Sequence, residues 1–323
     1  MVLRITLPPE GLFIRELVLS ELMSLGEIDL DIEGDIVTIG REEEFKDKLK
    51  FDLEQGKEVL KQLGSFKKNY KEAYELAEKV FNGGIDEFLN ADKGDYFIPL
   101  VFPEIMEAEK WLGGWSGTGK GEKRTIGVNR QAFILSLLGL YKYQIYSYFT
   151  EDGTVSVLAL VDNTIVSDMC KPSIDKEKIQ IKKDSVRKLS HISKLLIFST
   201  VLSEQSCQEI VLLKKGQHRA EIYERNPHAS IEPIIHFWTL VNDDIVKNKF
   251  INLADKYPEL FNKVSNHVFD GIRRTLTPAE VTFMIARDTY LNQENLTLNG
   301  IDMDKIRKAL EKIWTEEEVY SEP

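Results

Sequence analysis

The spacing of apolar residues changes along the chain, and this change restricts the possible folds more than any other feature. Early in the chain, apolar and polar residues alternate in short runs such as Ile28–Ile32 and Ile36–Ile39, which is typical of paired β-strands. From Pro233 onward, almost every segment has the three- and four-residue spacing of amphipathic helices. We therefore predict an α+β fold, with a mixed α/β body containing antiparallel hairpins over residues 1–230 and a helical C-terminal domain over residues 231–323.

Turn and capping residues delimit further elements within this outline. Two more hairpins are predicted, one that pairs Tyr143–Phe149 with Val155–Val161 and one around Lys214–Gly216. Tyrosines at positions 141, 143, 146 and 148 alternate in part with Ile145 and Phe149, and together they are most simply a packed strand. The predicted helices are 12–25, 42–81 with a break at Gly64–Ser65, 129–140, 184–202 with Asp184 or Ser185 as N-cap, 234–252, 258–268, 278–291 and 303–319.

Length and composition exclude several classes of protein. The chain has 323 residues, of which 42% are hydrophobic, so it can bury a large core and is not intrinsically disordered. The longest purely apolar runs, such as Val157–Val161, are far too short to span a membrane, and the N-terminus has no secretion leader. We therefore expect a cytoplasmic protein. In that reducing compartment, Cys170 and Cys207 are expected to be free thiols.

The net charge of −11 excludes a uniformly basic nucleic-acid coat, but the charge is unevenly distributed. Residues 1–110 carry 14 basic and 25 acidic side chains, whereas residues 111–250 carry 19 basic and 15 acidic ones. The stretch from Lys171 to Arg219 alone has a net charge of +6. This asymmetry indicates one face for anions and another for solvent or a protein partner, although a chance distribution of surface charge is the alternative.

A glycine-rich segment at residues 113–127 is the strongest candidate for a functional loop. Six glycines in fifteen residues cannot maintain a long helix or strand. The spacing of Gly114–Gly121 matches a phosphate-binding P-loop up to its last position, where Gly121 replaces the Ser or Thr that binds Mg²⁺. The preceding residues, 106–112, also have helical rather than strand spacing. Nucleotide hydrolysis is therefore not the favoured function.

The same segment nonetheless suits the binding of nucleic-acid phosphates. Glycine leaves backbone N–H groups accessible to phosphate oxygens, and the N-terminus of a predicted helix follows. The candidate phosphate and base contacts are Lys120, Lys123, Arg124, Asn129 and Arg130, with Trp115 able to stack on a base. The alternative is a surface loop whose lysines keep it solvated.

Three further basic clusters are candidates for nucleic-acid contact, and each has a solvated surface as its alternative. The first, on the predicted helix at 184–202 and the residues before it, comprises Lys178, Lys182, Lys183, Arg187, Lys188 and Lys194, with His191, Arg187 and Lys194 on one face. The second, at the tip of a hairpin, comprises Lys214, Lys215 and Arg219. A weaker candidate is Arg273–Arg274.

Catalytic and metal-binding patterns are poorly represented. The five histidines lack the spacing of a zinc-binding helix, and neither a G-x-S-x-G motif nor a dinucleotide-binding glycine loop is present. Asp243 and Asp244 are adjacent and point to different sides of a helix, while His236 lies in an apolar stripe and is expected in the core. We therefore predict no cofactor and no metal.

A family resemblance begins in the glycine-rich segment. The block at 119–143, GKGEKRTIGVNRQAFILSLLGLYKY, and the tyrosine-rich hairpin after it resemble the large subunit of archaeal type I-A CRISPR interference (Cascade) complexes. The length, the α+β body and the helical C-terminal part are similar too. Some related large subunits carry paired-cysteine metal knuckles, which this sequence lacks.

The resemblance implies a non-enzymatic subunit of an RNA-guided ribonucleoprotein complex in antiviral defence. Such a subunit contacts target double-stranded DNA at its short flanking motif, adjoins the nuclease-helicase and other subunits, and meets the guide RNA indirectly. In such a subunit, Lys120, Lys123 and Arg124 are the candidate phosphate contacts and Asn129 and Arg130 the candidate base readers, although no family motif fixes these positions. The alternatives are a metal-dependent phosphodiesterase or nuclease that uses unassigned Asp or Glu residues, and a structural adaptor without nucleic-acid contact.

Overall fold

A computed structural model of the protein describes residues 3–10, 12–25, 30–62, 71–91, 95–97, 127–162, 172, 174, 179–203, 207–215, 220–291 and 301–316. The strands are β1 (Leu3–Thr6), β2 (Leu30–Glu33), β3 (Ile36–Ile39), β4 (Asp95–Phe97), β5 (Gly127–Asn129), β6 (Gln144–Thr150), β7 (Gly153–Val161), β8 (Gln208–Lys215) and β9 (Ala220–Asn226). The helices are α1 (Phe13–Ser24), α2 (Glu42–Gln62), α3 (Lys71–Gly83), α4 (Ile85–Leu89), α5 (Arg130–Lys142), α6 (Lys183–Lys188), α7 (His191–Phe198), α8 (His228–Val241), α9 (Asp244–Lys256), α10 (Pro258–Ile272), α11 (Pro278–Leu291) and α12 (Met303–Glu316). The α+β class is confirmed.

The strands form small sheets, and the predicted hairpins connect neighbouring strands within these sheets. In the first sheet, β1 and β2 both pair antiparallel with β3, so that Ile5 and Ile32 lie on either side of Val37. Strands β4 and β5 pair antiparallel, and the remaining strands follow the order β6-β7-β8-β9. Ile5, Val37 and Ile39 are fully buried, as the period-two alternation of a strand requires.

Contacts divide the chain into two compact units with interleaved segments. Unit 1 comprises Met1–Gln144, Glu151–Pro172 and Val211–Arg225, and unit 2 comprises Ile145–Thr150, Ser173–Ile210 and Asn226–Pro323. The domain boundary near residue 230 stays a prediction, since this division follows contacts rather than independent folding.

In unit 1, helices α1 and α5 approach each other closely. A Cβ atom at Gly139 would lie 2.4 Å from the carbonyl oxygen of Leu17, so only glycine allows this backbone contact. Asn129 begins α5 by accepting hydrogen bonds from the N–H groups of Gln131 and Ala132, as expected of an N-cap. The predicted helix at 129–140 is thereby confirmed.

Two arginines anchor α1 within unit 1. Arg15 is buried, with Nη1 2.7 Å from Asp35 Oδ1 and 2.7 Å from the carbonyl oxygen of Pro8. The buried Glu16 accepts two hydrogen bonds of 2.7 Å from Arg225 on β9. This bidentate pair joins strand β9 to helix α1, and its geometry is the strongest that an arginine and a carboxylate can adopt.

In unit 2, aromatic side chains form the core of the helical region. The rings of Trp238 and Phe250 lie edge to face with 5.3 Å between centroids, and Phe250 meets Phe261 at 6.0 Å. The indole N–H of Trp238 donates a hydrogen bond of 2.8 Å to the carbonyl oxygen of Leu196, which satisfies its polar atom. Helix α7 is thereby fixed to α8.

The prediction of one helix over 184–202 was wrong. Helix α6 ends before Leu189, whose backbone is extended, and Ser190 caps the separate helix α7 by accepting a hydrogen bond from Ser193 N–H. Lys182, rather than Asp184 or Ser185, occupies the N-cap of α6 and makes no side-chain cap. The break also removes the shared helical face that was predicted for residues 187, 191 and 194.

The prediction of one helix over 234–252 was wrong as well. Asn242 adopts a left-handed conformation, with φ of 42°, and ends α8. Asp243 then caps α9 by accepting hydrogen bonds from the N–H groups of Ile245 and Val246. An Asn that leaves the helix and an Asp that caps the next one therefore separate two helices of similar apolar pattern.

Cys207 is disulfide-bonded, so the expectation of free thiols was wrong. Cys170, the one other cysteine of the chain, lies outside the described residues. Within the described part of the chain, no helix is both long and apolar enough to cross a membrane.

Candidate nucleic-acid interface

Helix α6 in unit 2 presents a group of exposed cations. Lys182, Lys183, Arg187 and Lys188 are all exposed. Lys182 Nζ lies 3.6 Å from Asp255, and Arg187 lies 3.6 Å from Asp184. Among the residues that the structure describes, neither Lys183 nor Lys188 has a carboxylate within 4.0 Å. Their charge is therefore available to an external anion.

The end of strand β6 places an aromatic ring beside these cations. Phe149 is 52% exposed, and Lys183 Nζ lies 4.5 Å from the centroid of its ring. The side-chain Nε of Arg187 donates a hydrogen bond to the carbonyl oxygen of Phe149. We call Phe149, Lys182, Lys183, Arg187 and Lys188 together the α6 surface. The expectation that Phe149 is packed was wrong.

Irregular alternation along β6 explains the exposed ring. Ile145 and Tyr148 are both buried although they are three positions apart, so the inward-facing set shifts by one position along the strand. This shift turns Phe149 outward. Lys194, from the same predicted basic cluster, lies against the buried Tyr148, with Nζ 5.4 Å from the ring centroid. Lys178 lies outside the described residues.

Hydrogen bonds from α9 and α10 fix the backbone around α6. Asp255 accepts a bond of 2.7 Å from Lys182 N–H, and its carbonyl oxygen accepts one of 2.7 Å from the Ser185 hydroxyl. Asn262 accepts from Ser190 N–H at 2.8 Å and donates to the carbonyl oxygen of Lys188 at 3.0 Å. The position of α6 therefore depends on contacts with α9 and α10, and among the described residues Lys183 and Lys188 add no ion pair to them.

The hairpin of β8 and β9, in unit 1, uses its cations differently. Lys214 Nζ lies 3.2 Å from Asp152 and 4.0 Å from Glu221, and also 5.9 Å from the ring centroid of Tyr223. Its side chain is only 19% exposed. Burial lowers the pKa of the half-buried Lys215. Arg219 lies outside the described residues, and the hairpin itself is confirmed.

The residues predicted around the glycine-rich segment are described only in part. Lys120, Lys123, Arg124 and Trp115 lie outside the described residues. The side-chain oxygen of Asn129 serves as the N-cap of α5. Arg130 is half-buried at a cleft of 340 Å³ in unit 1; the cleft is lined by Glu75, Leu76, Lys79, Val80, Glu87, Asn90, Ala91 and Arg130. The roles of these residues in binding stay predictions.

A buried carboxyl group lies inside unit 1. Glu21 is fully buried, and its Oε2 lies 3.6 Å from Lys142 Nζ, which also donates to Asp52 at 2.9 Å and to Ser24 at 2.8 Å. Burial raises the pKa of Glu21 to about 8, although the charge of Lys142 opposes this shift. Near neutral pH this carboxyl group therefore retains a proton, and it lies in the core rather than at a surface.

The residues weighed for catalysis have structural contacts. His236 is half-exposed, not in the core as expected, and its Nε2 lies 2.8 Å from Glu316. Asp243 caps α9 and pairs with Lys305, which lowers its pKa. The weaker basic candidate also has local contacts, since Arg274 donates to the carbonyl oxygen of Ile313 and Arg273 stacks on a neighbouring ring. Within the described residues, no three His, Cys, Asp or Glu side chains are grouped to hold a metal ion.

Sequence comparison supplies the class of protein. The chain is 59% identical over 322 residues, or 99% of both chains, to a Saccharolobus solfataricus protein named "Putative CRISPR-associated protein SSO1401". No protein-family model matches the chain.

Proposed function

The chain belongs to the family of this CRISPR-associated protein, and we propose that it is the large, non-catalytic subunit of an RNA-guided interference complex. In this role it contacts target double-stranded DNA at the motif that flanks the target, and it adjoins the nuclease-helicase. Its direct partners are other subunits, and the guide RNA is met through them. Base pairing with the guide reads the long target sequence, so the protein needs only a limited DNA contact.

The α6 surface is the observation that carries the contact with DNA. Lys183 and Lys188 are exposed and lack a carboxylate neighbour within the described residues. A phosphate can therefore approach them without breaking an ion pair. Cations of this kind release counterions when they neutralise phosphates, which supplies most of the affinity of sequence-independent binding.

The net charge of −11 is compatible with this localised contact. Residues 1–110 alone carry as much excess negative charge as the whole chain, whereas residues 111–250 are net basic. This distribution supports nucleic-acid binding at one face, while other faces meet solvent or protein. A net-acidic chain of this kind does not coat DNA without a partner. We therefore expect the contact with DNA to be measured most readily in the assembled complex.

The test is to express a tagged copy of the full chain together with its neighbouring genes and to purify it under mild salt. We expect a guide RNA and other CRISPR-associated subunits to co-purify, and the purified complex to bind a target duplex. Purification of the chain alone, from cells in which the complex assembles, would contradict membership. Divalent-metal-dependent cleavage of DNA by the pure chain would contradict the non-catalytic role and favour a nuclease.

A further inference from the structure

The α6 surface has a property that contact with a phosphate backbone does not require. A large aromatic ring, Phe149, stands half-exposed among its cations, although burial of such a ring in the core would be favourable. Strand β6 could have kept this side chain inside by regular alternation, as it does for Ile145. The exposed ring therefore suggests a ligand with an apolar face as well as negative charge.

We propose that the α6 surface binds single-stranded nucleic acid, with one base stacked on Phe149 and the neighbouring phosphates held by Lys183, Arg187 and Lys188. The inference rests on the proposed function for its biological setting, but its geometry stands on the surface itself.

A duplex can use the cations of the α6 surface, but only a single strand can also use the ring of Phe149. In a duplex, the faces of the bases are covered by their neighbours, so protein side chains contact mainly phosphates and groove edges. In a single strand, each base has a free π-face close to a phosphate, so a base that replaces Lys183 Nζ, now 4.5 Å from the ring centroid of Phe149, leaves that ammonium group to the adjacent phosphate. The hydrogen bond from Arg187 to the carbonyl oxygen of Phe149 holds one cation beside the ring.

The ligand class also follows from what the surface lacks. Apart from Asp184 and Asp255, which lie beside Arg187 and Lys182, no acidic side chain pairs with these cations within the described residues. Stacking on an aromatic ring tolerates every base, because every base has a π-face, and contacts to phosphates carry no sequence information. We therefore expect binding that depends little on base sequence and strongly on salt.

The test compares the full chain with the variants Phe149→Leu and Phe149→Trp on a labelled oligothymidylate of about 16 nucleotides, a length within the range of known single-strand sites. Loss of the ring should weaken binding about 5-fold or more, because a stacked base contributes roughly 1–3 kcal/mol. The Phe149→Trp variant keeps an aromatic ring at this position and should therefore bind as tightly as the parent chain. The salt dependence should keep its slope in both variants, because no charge is removed.

The hairpin of β8 and β9 provides a matched control. Tyr223 is 60% exposed and also lies near a lysine, but Lys214 there is paired with Asp152 and Glu221. Tyr223→Leu should leave oligothymidylate binding unchanged. A 5-iodouracil substituted into the oligonucleotide should photo-crosslink to Phe149 and not to Tyr223, which reports stacking without relying on affinity. Thermal unfolding of all variants should match the parent chain.

The outcomes separate this inference from the proposed function. The stacking site is overturned if the Phe149→Leu variant binds with the affinity of the parent chain, or if the Phe149→Trp variant binds as weakly as the Phe149→Leu variant. Lys183→Gln with Lys188→Gln would still weaken duplex binding by the complex if the proposed function holds. If the chain never co-purifies with a guide RNA but Phe149→Leu weakens oligothymidylate binding, the proposed function fails and the single-strand site stands.

Discussion

Two regions of the protein place a lysine against an exposed aromatic ring, and they use the charge in opposite ways. At the β8–β9 hairpin, Lys214 lies between Asp152 and Glu221 and is largely shielded from solvent. At the α6 surface, Lys183 lies over Phe149 with no carboxylate near it among the described residues. The number of cations in a cluster therefore does not determine whether the cluster can bind an anion. Only the neighbouring carboxylates decide whether charge is left for a ligand.

The same comparison extends to stability. The hairpin is joined to helix α1 by the pair of Arg225 and Glu16, so its charges help to hold the fold. The α6 helix is held by Asn262 and by the side chain and carbonyl oxygen of Asp255, so Lys183 and Lys188 contribute nothing comparable. Substitution of Arg225 should therefore affect stability, and substitution of the α6 lysines should affect binding.

The largest expected effect comes from Arg225→Ala. It leaves the carboxylate of Glu16, which is 4% exposed, without its bidentate partner. We expect the free energy of unfolding to fall by about 3 kcal/mol, the lower end for a broken buried pair because Arg225 is partly exposed. Urea unfolding measures this loss, and Arg225→Lys should lose less because it keeps the charge. An unchanged unfolding midpoint for the alanine variant would contradict the claim that the pair of Arg225 and Glu16 stabilises the fold.

The second effect concerns Glu21, the other buried glutamate of α1. Its pKa is raised to about 8 in the folded protein, above the unfolded value of 4.5, so the folded state holds a proton that the unfolded state has lost. The stabilisation is complete below pH 4.5 and is lost as the pH rises toward 8, by up to about 1.4 kcal/mol per pH unit.

Unfolding measured at several pH values checks this prediction. Glu21→Gln keeps the shape of the side chain and cannot ionise, so its stability should fall less between pH 5 and about 8 than that of the parent chain. The variant Glu75→Gln, at an exposed helix position, is the control and should follow the parent. Parallel pH curves for all three proteins would show that Glu21 is ionised already at low pH.

A smaller effect is expected at Asn262, which holds the α6 region by hydrogen bonds. Asn262→Ala removes an acceptor for Ser190 N–H and a donor for the carbonyl oxygen of Lys188, and should lower the unfolding free energy by about 1–2 kcal/mol. Asn262→Asp keeps the acceptor and should lose less. Faster amide exchange around α6 in the alanine variant, without loss of exchange protection at Trp238, would confirm the local role. Uniform loosening would indicate that this junction supports the whole unit.

The smallest effect should follow Lys214→Gln. Because two carboxylates already compensate this lysine, its neutralisation should change DNA binding by less than about 2-fold and unfolding by less than about 0.5 kcal/mol. Gel-shift titration and thermal unfolding check both values. A loss of binding as large as that caused by the α6 lysines would remove the distinction between the two regions.

The sequence predicts local structure well where capping chemistry and periodicity agree. Helix α11 begins at Pro278, and Thr277 and Glu280 exchange hydrogen bonds, with Thr277 N–H donating to Glu280 Oε2 at 2.8 Å and Glu280 N–H donating to the Thr277 hydroxyl at 3.3 Å. This capping box follows from the order of residues alone. The predicted hairpins are confirmed for the same reason, because their turn residues and alternating strands agree.

The sequence fails where one local signal opposes another. The apolar spacing through Leu189 continues a helix, but Ser190 caps a new one, and a short polar residue in a helical pattern does not reveal which will occur. The exposure of Phe149 has a similar cause, since the shift between Ile145 and Tyr148 depends on what packs against each face of β6.

Long-range pairing is the other limit on prediction from sequence. Lys214 and Asp152 are 62 residues apart, and Arg225 and Glu16 are 209 apart, so no local pattern reveals that they meet. The basic clusters therefore looked equivalent in the sequence, and only the fold distinguishes the α6 surface from the hairpin. The cations of the glycine-rich segment stay predictions of the sequence.

The most direct test of this distinction is the salt dependence of target-duplex binding by the assembled complex. One complex carries Lys183→Gln with Lys188→Gln, and the matched complex carries Lys214→Gln with Lys215→Gln. We predict that the slope of log affinity against log salt becomes shallower by about 1–2 for the α6 pair, since each lost phosphate contact contributes about 0.9, and stays unchanged for the hairpin pair. Equal slopes in the two complexes, or a shallower slope for the hairpin pair alone, would contradict the account.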